Sequence, residues 1–249
     1  MTRLPKRYFK SISDYVKTYY TAYGAQRAQK LYDAVKTVTE DFTRTDPVYV
    51  RIGDDGEPEI HYTVATAKSG SFYFRDMNFG NAKLIFRNFN KFNDITYIFN
   101  HSVCKTVEID SIGATDMTAF NMCHWASRDG VQNINAFDTS KVTSWNSAFY
   151  WNRGIKEIPA FDMSAATDLY HVFYEASNIT AIHCAGMKVS LDLSYCTKMS
   201  RDALLEVFNN LADLTGKTSA TLTIGSTLGA KITDEDRAIV TNKNWILTE

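Results

Sequence analysis

The sequence predicts an α+β chain built around a repeat solenoid. Each coil of ~24 residues holds a strand plus a short helix, with a helical and β-hairpin module before the repeats and an α/β cap after them. Three observations predict this. Phe137-Asp138-Thr139-Ser140 returns as Phe161-Asp162-Met163-Ser164, Phe149-Tyr150 returns as Phe173-Tyr174, and Ile155 and Ile158 return as Ile179 and Ile182, all at one constant offset. Upstream, residues 28–64 pass from helical spacing to strict alternation. Downstream, residues 189–249 alternate strand-like and helix-like patterns with helix-start signals.

The first module is read as residues 1–83. Ser11 or Ser13 caps a first helix that Gly24 interrupts, and Ala28, Leu31, Val35, Val38 and Phe42 follow 3-4-3-4 spacing. Asp46-Pro47 ends the helical region. Val48, Val50 and Ile52 alternate, as do Ile60, Tyr62 and Val64, around the turn-forming run Gly53-Asp54-Asp55-Gly56-Glu57-Pro58, which makes a hairpin. Asp54, Asp55 and Glu57 are calcium-type ligands, but a hairpin tip is rich in Asp and Gly for conformational reasons alone, and no metal is expected there.

The repeats occupy residues 84–188. Ile155-x-x-Ile158-x-x-Phe161 and Val131-x-x-Ile134-x-x-Phe137 place apolar side chains on a short strand and its exit. Thr143 to Phe149 and Thr167 to Phe173 read as a turn or short helix, with Trp145 and Phe149, then Leu169 and Phe173, four residues apart on one face. Landmarks extend back to Ile109-Asp110, Phe120 and Phe99, with about five extra residues between Cys123 and Gly130. One coil cannot bury such side chains; stacked coils make an apolar column, at ~1.5–3 kcal/mol per large side chain.

The run FDTSKVTSWNSAFYWNRGIKEIPAFDMSAATDLYHVFYEASNITAI resembles the BspA-like leucine-rich-repeat family. In that family an aromatic or Leu precedes a DxS-x-VT segment, a turn ending in (M/A)FY and an Ile-rich strand. The likeness covers residues ~84–199 and is strongest over 131–182, with a diluted Asn and Leu consensus and an irregular coil at 104–130. It implies a leucine-rich-repeat-like fold and a binding role. Family members are surface adhesins of bacteria and protists and virion tail proteins of bacteriophages, none catalytic through the repeat.

Residues 189–249 are read as the cap. Val189, Leu191 and Leu193 form a strand, Ser200 caps a helix through Leu211, Leu222 and Ile224 form a strand, Thr233 caps a helix opening on Asp234-Glu235-Asp236, and Trp245-Ile246-Leu247 closes as a strand. The tail also resembles the ends of BspA-like proteins encoded in phage and mobile-element genomes.

Composition narrows the function. Net charge is −1 with no long basic run, so nucleic acid is not the expected partner. No window of ~18 apolar residues predicts a membrane span, and the first residues carry no signal-peptide pattern. Disulfides are therefore not expected, and Cys104, Cys123, Cys184 and Cys196 read as buried thiols. His124 and His183 adjoin two of them, but strand neighbours point to opposite faces, so no metal or other cofactor is expected.

No GxSxG, HExxH or P-loop pattern occurs, and the histidines are scattered. Asp110, Asp138 and Asp162 share one repeat position; a carboxylate ladder invites a glycosidase reading, but DxS sequences close turns. The chain is accordingly expected not to be an enzyme. Trp125, Tyr150, Trp151, Tyr170 and Tyr174 are the candidate recognition surface, with Tyr195 nearby. Phe149 and Phe173 hold the inward position, which turns Tyr150 and Tyr174 outward; the competing reading has these rings fill space between coils. Tyr15, Tyr19, Tyr20 and Tyr23 crowd one short helix and are the candidate docking residues. With the resemblance, these features point to a bacteriophage virion component of the tail or receptor-recognition type, assembled in the host cytoplasm. Its expected partners are other virion structural proteins or a host surface protein or glycan, with a homo-oligomer compatible. A bacterial cell-surface or secreted adhesin and a glycan-acting enzyme on the same scaffold are the alternatives.

Overall fold

A computed structural model describes residues 48–66, 68–70, 74–95, 98–100, 102–109 and 131–249. The helical pattern of residues 28–42, the docking tyrosines Tyr15, Tyr19, Tyr20 and Tyr23, the candidate Trp125, and Asp110, Phe120, Cys123 and His124 lie outside the described residues. Within them the protein is mixed α/β, with several short strands in parallel sheets and few helices.

Strands β1 (Val48–Ile52) and β2 (Pro58–Thr63) form the expected hairpin, with Val50 opposite Ile60. Its tip is closed by Gly53 N–H to Glu57 O at 2.8 Å and Glu57 N–H to Asp55 Oδ1 at 3.0 Å, while Gly56 takes φ 79°. Asp55 thus serves the turn. Short strands β3 (Lys68–Ser69) and β5 (Phe92–Asp94) pair separately. Strands β4 (Lys83–Arg87), β6 (Cys104–Ile109) and β7 (Val131–Ile134) extend the hairpin into one sheet of order β1-β2-β4-β6-β7. From β2 onward every pairing in it is parallel.

The register carries the repeat into space. Ile60 faces Leu84, Leu84 faces Val107, and Val107 faces Ile134. In the next sheet Ile158 of β8 (Glu157–Ile158) faces Ile182 of β9 (Ala181–Ile182), one full repeat on. The step from Ile60 to Leu84 has the same length, so the hairpin keeps the spacing of the repeats although its sequence shares none of their landmarks. The boundary expected between residues 83 and 84 falls inside β4, one residue after its start, and β4 is bonded to the hairpin strand β2 from Glu59–Lys83 to Thr63–Arg87.

The short helix expected between strands is not observed in the repeats at 143–152 and 167–176, which are chains of turns. Ser147, Trp151, His171 and Glu175 adopt left-handed φ of 55–56°, which ends any helical run at every fourth residue. Their amides are also engaged differently. Trp145, Ser147, Phe149 and Trp151 donate to the carbonyls of Asp168, Tyr170, Val172 and Tyr174 in the next repeat, at 2.8–2.9 Å. The intervening Ala148, Tyr150 and Asn152 donate three residues back. The apolar spacing nonetheless works as expected: Trp145, Phe149, Leu169 and Phe173 are all buried.

The core is a stack of rings. Phe89 meets Phe137 at 5.7 Å, Phe137 meets Phe161 at 5.2 Å, and Phe149 lies parallel to Phe173 at 5.7 Å. At the C-terminal end, β10 (Leu191–Asp192), β11 (Ala220–Thr223) and β12 (Trp245–Thr248) form a parallel sheet aligned through Leu191, Leu222 and Leu247. Helix α1 (Arg201–Asn210) is capped by the Ser200 hydroxyl and buries Leu204, Val207 and Phe208. Helix α2 (Gly225–Gly229) is one short turn. Helix α3 (Asp234–Thr241) opens on a capping box between Thr233 and Asp236. Arg201 grips Asp236 with two bonds of 2.7–2.8 Å, tying α1 to α3.

Candidate binding surface

The alternation that sends Phe149 and Phe173 inward leaves Tyr150 and Tyr174 at the surface, each half-buried. Because their repeats stack in register, the two rings lie parallel, 5.1 Å apart with planes at 8°. Tyr195 continues the row, 4.5 Å from Tyr174. His171 sits beside it, 4.6 Å from Tyr174 and 3.7 Å from Tyr170, whose ring is 63% exposed. Trp151 adjoins Tyr150 at 6.4 Å. Four of the five residues read from the sequence thus come together, and Trp125 lies outside the described residues.

Trp151 differs from the others. Arg153 lies over its ring at 5.0 Å and pairs with Glu175 at 3.0 Å. Its indole Nε1 is buried with no hydrogen-bond partner among the described residues. It serves as a platform for the Arg153 guanidinium, which becomes the outer contact. The polar rim includes Asp168, which accepts from the Tyr170 amide at 2.9 Å and the Asn146 side chain at 3.2 Å. The Tyr195 phenol has its pKa pushed up to about 12, chiefly by its hydrogen bond with Tyr174, with Glu175 and Asp192 adding negative charge. The sequence pattern did not single out His171, Arg153, Asp168 or Glu175. Only the equivalence of Ser147 and His171, one repeat apart, could have drawn attention there.

The two described members of the aspartate ladder are occupied by turn chemistry. Asp138 and Asp162 each accept the amide two residues on, from Ser140 and Ser164, and Asp192 does the same with Ser194, at 2.8–3.0 Å. The Ser140 hydroxyl and amide hold the Asp138 carboxyl below its ordinary value. A carboxylate fixed in this way is a poor proton donor.

Two further polar groups stand apart. Asn133, Ile134, Glu157, Pro159, Ala160 and His183 line a shallow depression of about 350 Å³, where His183 Nδ1 meets Glu206 Oε1 at 2.7 Å. On the face of β2 that alternates with Ile60 and Tyr62, Glu59 holds Arg51 at 2.5 Å and His61 at 3.1 Å, and burial lowers the His61 pKa despite that carboxylate. The thiols of Cys104, Cys184 and Cys196 are free and buried; burial pushes the first two up to about 12 and the third further up. The Cys184 thiol donates to Pro159 O while His183 turns to Glu206, so these neighbours do face apart. Among the described residues, no three His, Cys, Asp or Glu side chains gather as a metal site would require, and no helix is long and apolar enough to cross a membrane.

No protein-family model, curated protein or solved structure matches the chain.

Proposed function

We propose that this chain is a leucine-rich-repeat-like solenoid protein that binds its ligand without transforming it, and that its recognition surface is the aromatic row of Tyr150, Tyr174 and Tyr195 with Tyr170, His171 and Arg153. The observation that carries the reading is the row itself: Tyr150 and Tyr174 stacked at the surface, with Tyr195 tilted against Tyr174, beside polar side chains. Surface Tyr, Trp and Arg are the side chains that recognition surfaces favour. The solenoid reading is supported by parallel strands whose register advances by the sequence repeat, Ile60 to Leu84 and Ile158 to Ile182.

With the sequence resemblance, this reading makes the protein a bacteriophage virion component in the tail or at the receptor-recognition end. Immunogold labelling with an antibody raised against the chain tests it. Gold on the tails of purified particles is the expected outcome; gold confined to the outer surface of uninfected bacteria would replace the virion reading with the adhesin. A glycan-acting enzyme is the second reading, tied to the depression where Glu157 lies near the His183–Glu206 pair. Release of reducing sugar by the purified chain, abolished in Glu157→Gln, would establish it in place of pure binding.

A further inference from the structure

We infer that the ligand of the aromatic row is a neutral glycan chain lying along the stacking direction of the repeats; this rests on the binding reading above. The first ground is periodicity. Tyr150 and Tyr174 are the same residue of successive repeats, and their 5.1 Å separation follows from the spacing of parallel strands. Such a row suits a ligand that itself repeats at that pitch, and one sugar residue of an extended glycan advances a similar distance.

The second ground is chemical mixture. A pyranose offers C–H faces to aromatic rings and hydroxyls that both donate and accept. Tyr170, backed by His171, supplies exposed ring surface, the Tyr174 and Tyr195 phenols and Asp168 supply acceptors, and Arg153 supplies donors. With Arg153 paired to Glu175, Asp168 and Asp192 leave the row net negative and oppose a polyanion. A neutral polyhydroxyl chain does not meet that obstacle.

The third ground bears against an extended peptide. Peptides that join a sheet use unpaired backbone groups. Here the amides of Trp145, Ser147, Phe149 and Trp151 already bond carbonyls of the next repeat, so this surface offers no such row of donors.

The test titrates the full chain with β-1,4-linked N-acetylglucosamine and β-1,4-linked glucose oligomers from one to six residues, beside an array of immobilised neutral glycans. Binding to a neutral glycan is expected, strengthening with length up to about three or four residues as successive repeats are engaged. Tyr170→Ala, at the most exposed ring, should weaken it about threefold to tenfold with an unchanged melting temperature. Tyr174→Phe, which keeps the ring and removes the phenol, separates stacking from hydrogen bonding. Absence of binding across the array overturns the inference. If a peptide display library instead yields ligands lost in Tyr170→Ala, the glycan falls and the binding reading stands. If Tyr170→Ala and Tyr174→Ala leave all measured binding intact, the recognition surface is misplaced and both fall.

Discussion

Replacing Phe149 with Ala tests the packing that places the aromatic row. Its ring is fully buried between Phe161 at 6.5 Å and Phe173 at 5.7 Å, nearly parallel to both. Removing it strips apolar burial and opens a cavity that the neighbouring repeats, fixed by their own cross-repeat hydrogen bonds, cannot close. Phe-to-Ala changes at such sites cost about 3–5 kcal/mol, a large share of the roughly 5–15 kcal/mol that holds a domain folded. For a chain of this size that corresponds to a melting temperature lower by about 6–20 °C. Tyr150 is the control: it is adjacent in sequence, half-buried, and packed mainly on Tyr174. Tyr150→Ala should cost about 1–2 kcal/mol. Urea unfolding followed by circular dichroism measures both. Equal losses, or a greater loss for Tyr150, would mean that the inward and outward positions are reversed and that the row is not a surface feature.

Three other outcomes follow from particular contacts. Gly186 has φ 81°, and a Cβ there would sit 2.8 Å from the Ser164 Cβ, so Gly186→Ala should destabilise by about 1–3 kcal/mol in the same unfolding assay. Arg201 holds the Asp236 carboxyl below its ordinary value of 3.8, so its stabilisation is complete above that pH and lost as pH falls through the lower folded value; stability should drop more on acidification below pH 3.8 in the native chain than in Asp236→Asn, as followed by thermal melts across pH. A chain truncated to begin at Lys83 loses β2 and leaves β4 as a bare sheet edge, so it should aggregate, and a monomeric, folded product by size-exclusion chromatography would contradict the pairing of those strands.

Much of the local structure was legible from residue order because it depends on short-range chemistry. The Ser200 and Thr233 caps, the Gly53–Pro58 hairpin tip and the Asp138 and Asp162 turns all follow from side chains reaching amides two or three residues away. The inward positions of Phe149 and Phe173 followed equally from the repeat itself. The conformation between strands was not legible in the same way. Spacing of three and four residues fits a helix and a chain of turns alike, and the choice lies with amides that bond the next repeat, far along the chain.

By itself, then, the sequence determined the period, many of the strand positions and the inward places of Phe149 and Phe173, since these follow from spacing along the chain, whereas β3, β4 and β5 were not among the strands it indicated. Tertiary structure alone decided that the hairpin joins the sheet, because the pairing of Ile60 with Leu84 depends on a shared edge and no shared motif. It also decided the membership of the candidate site. His171 reaches Tyr150 and Glu175 reaches Arg153 across repeats, and Tyr195 joins the row although its distance along the chain from Tyr174 falls short of the repeat period. Contacts of that kind depend on the depth at which one repeat settles on the next, which is a property of packing and is absent from the spacing of residues along the chain.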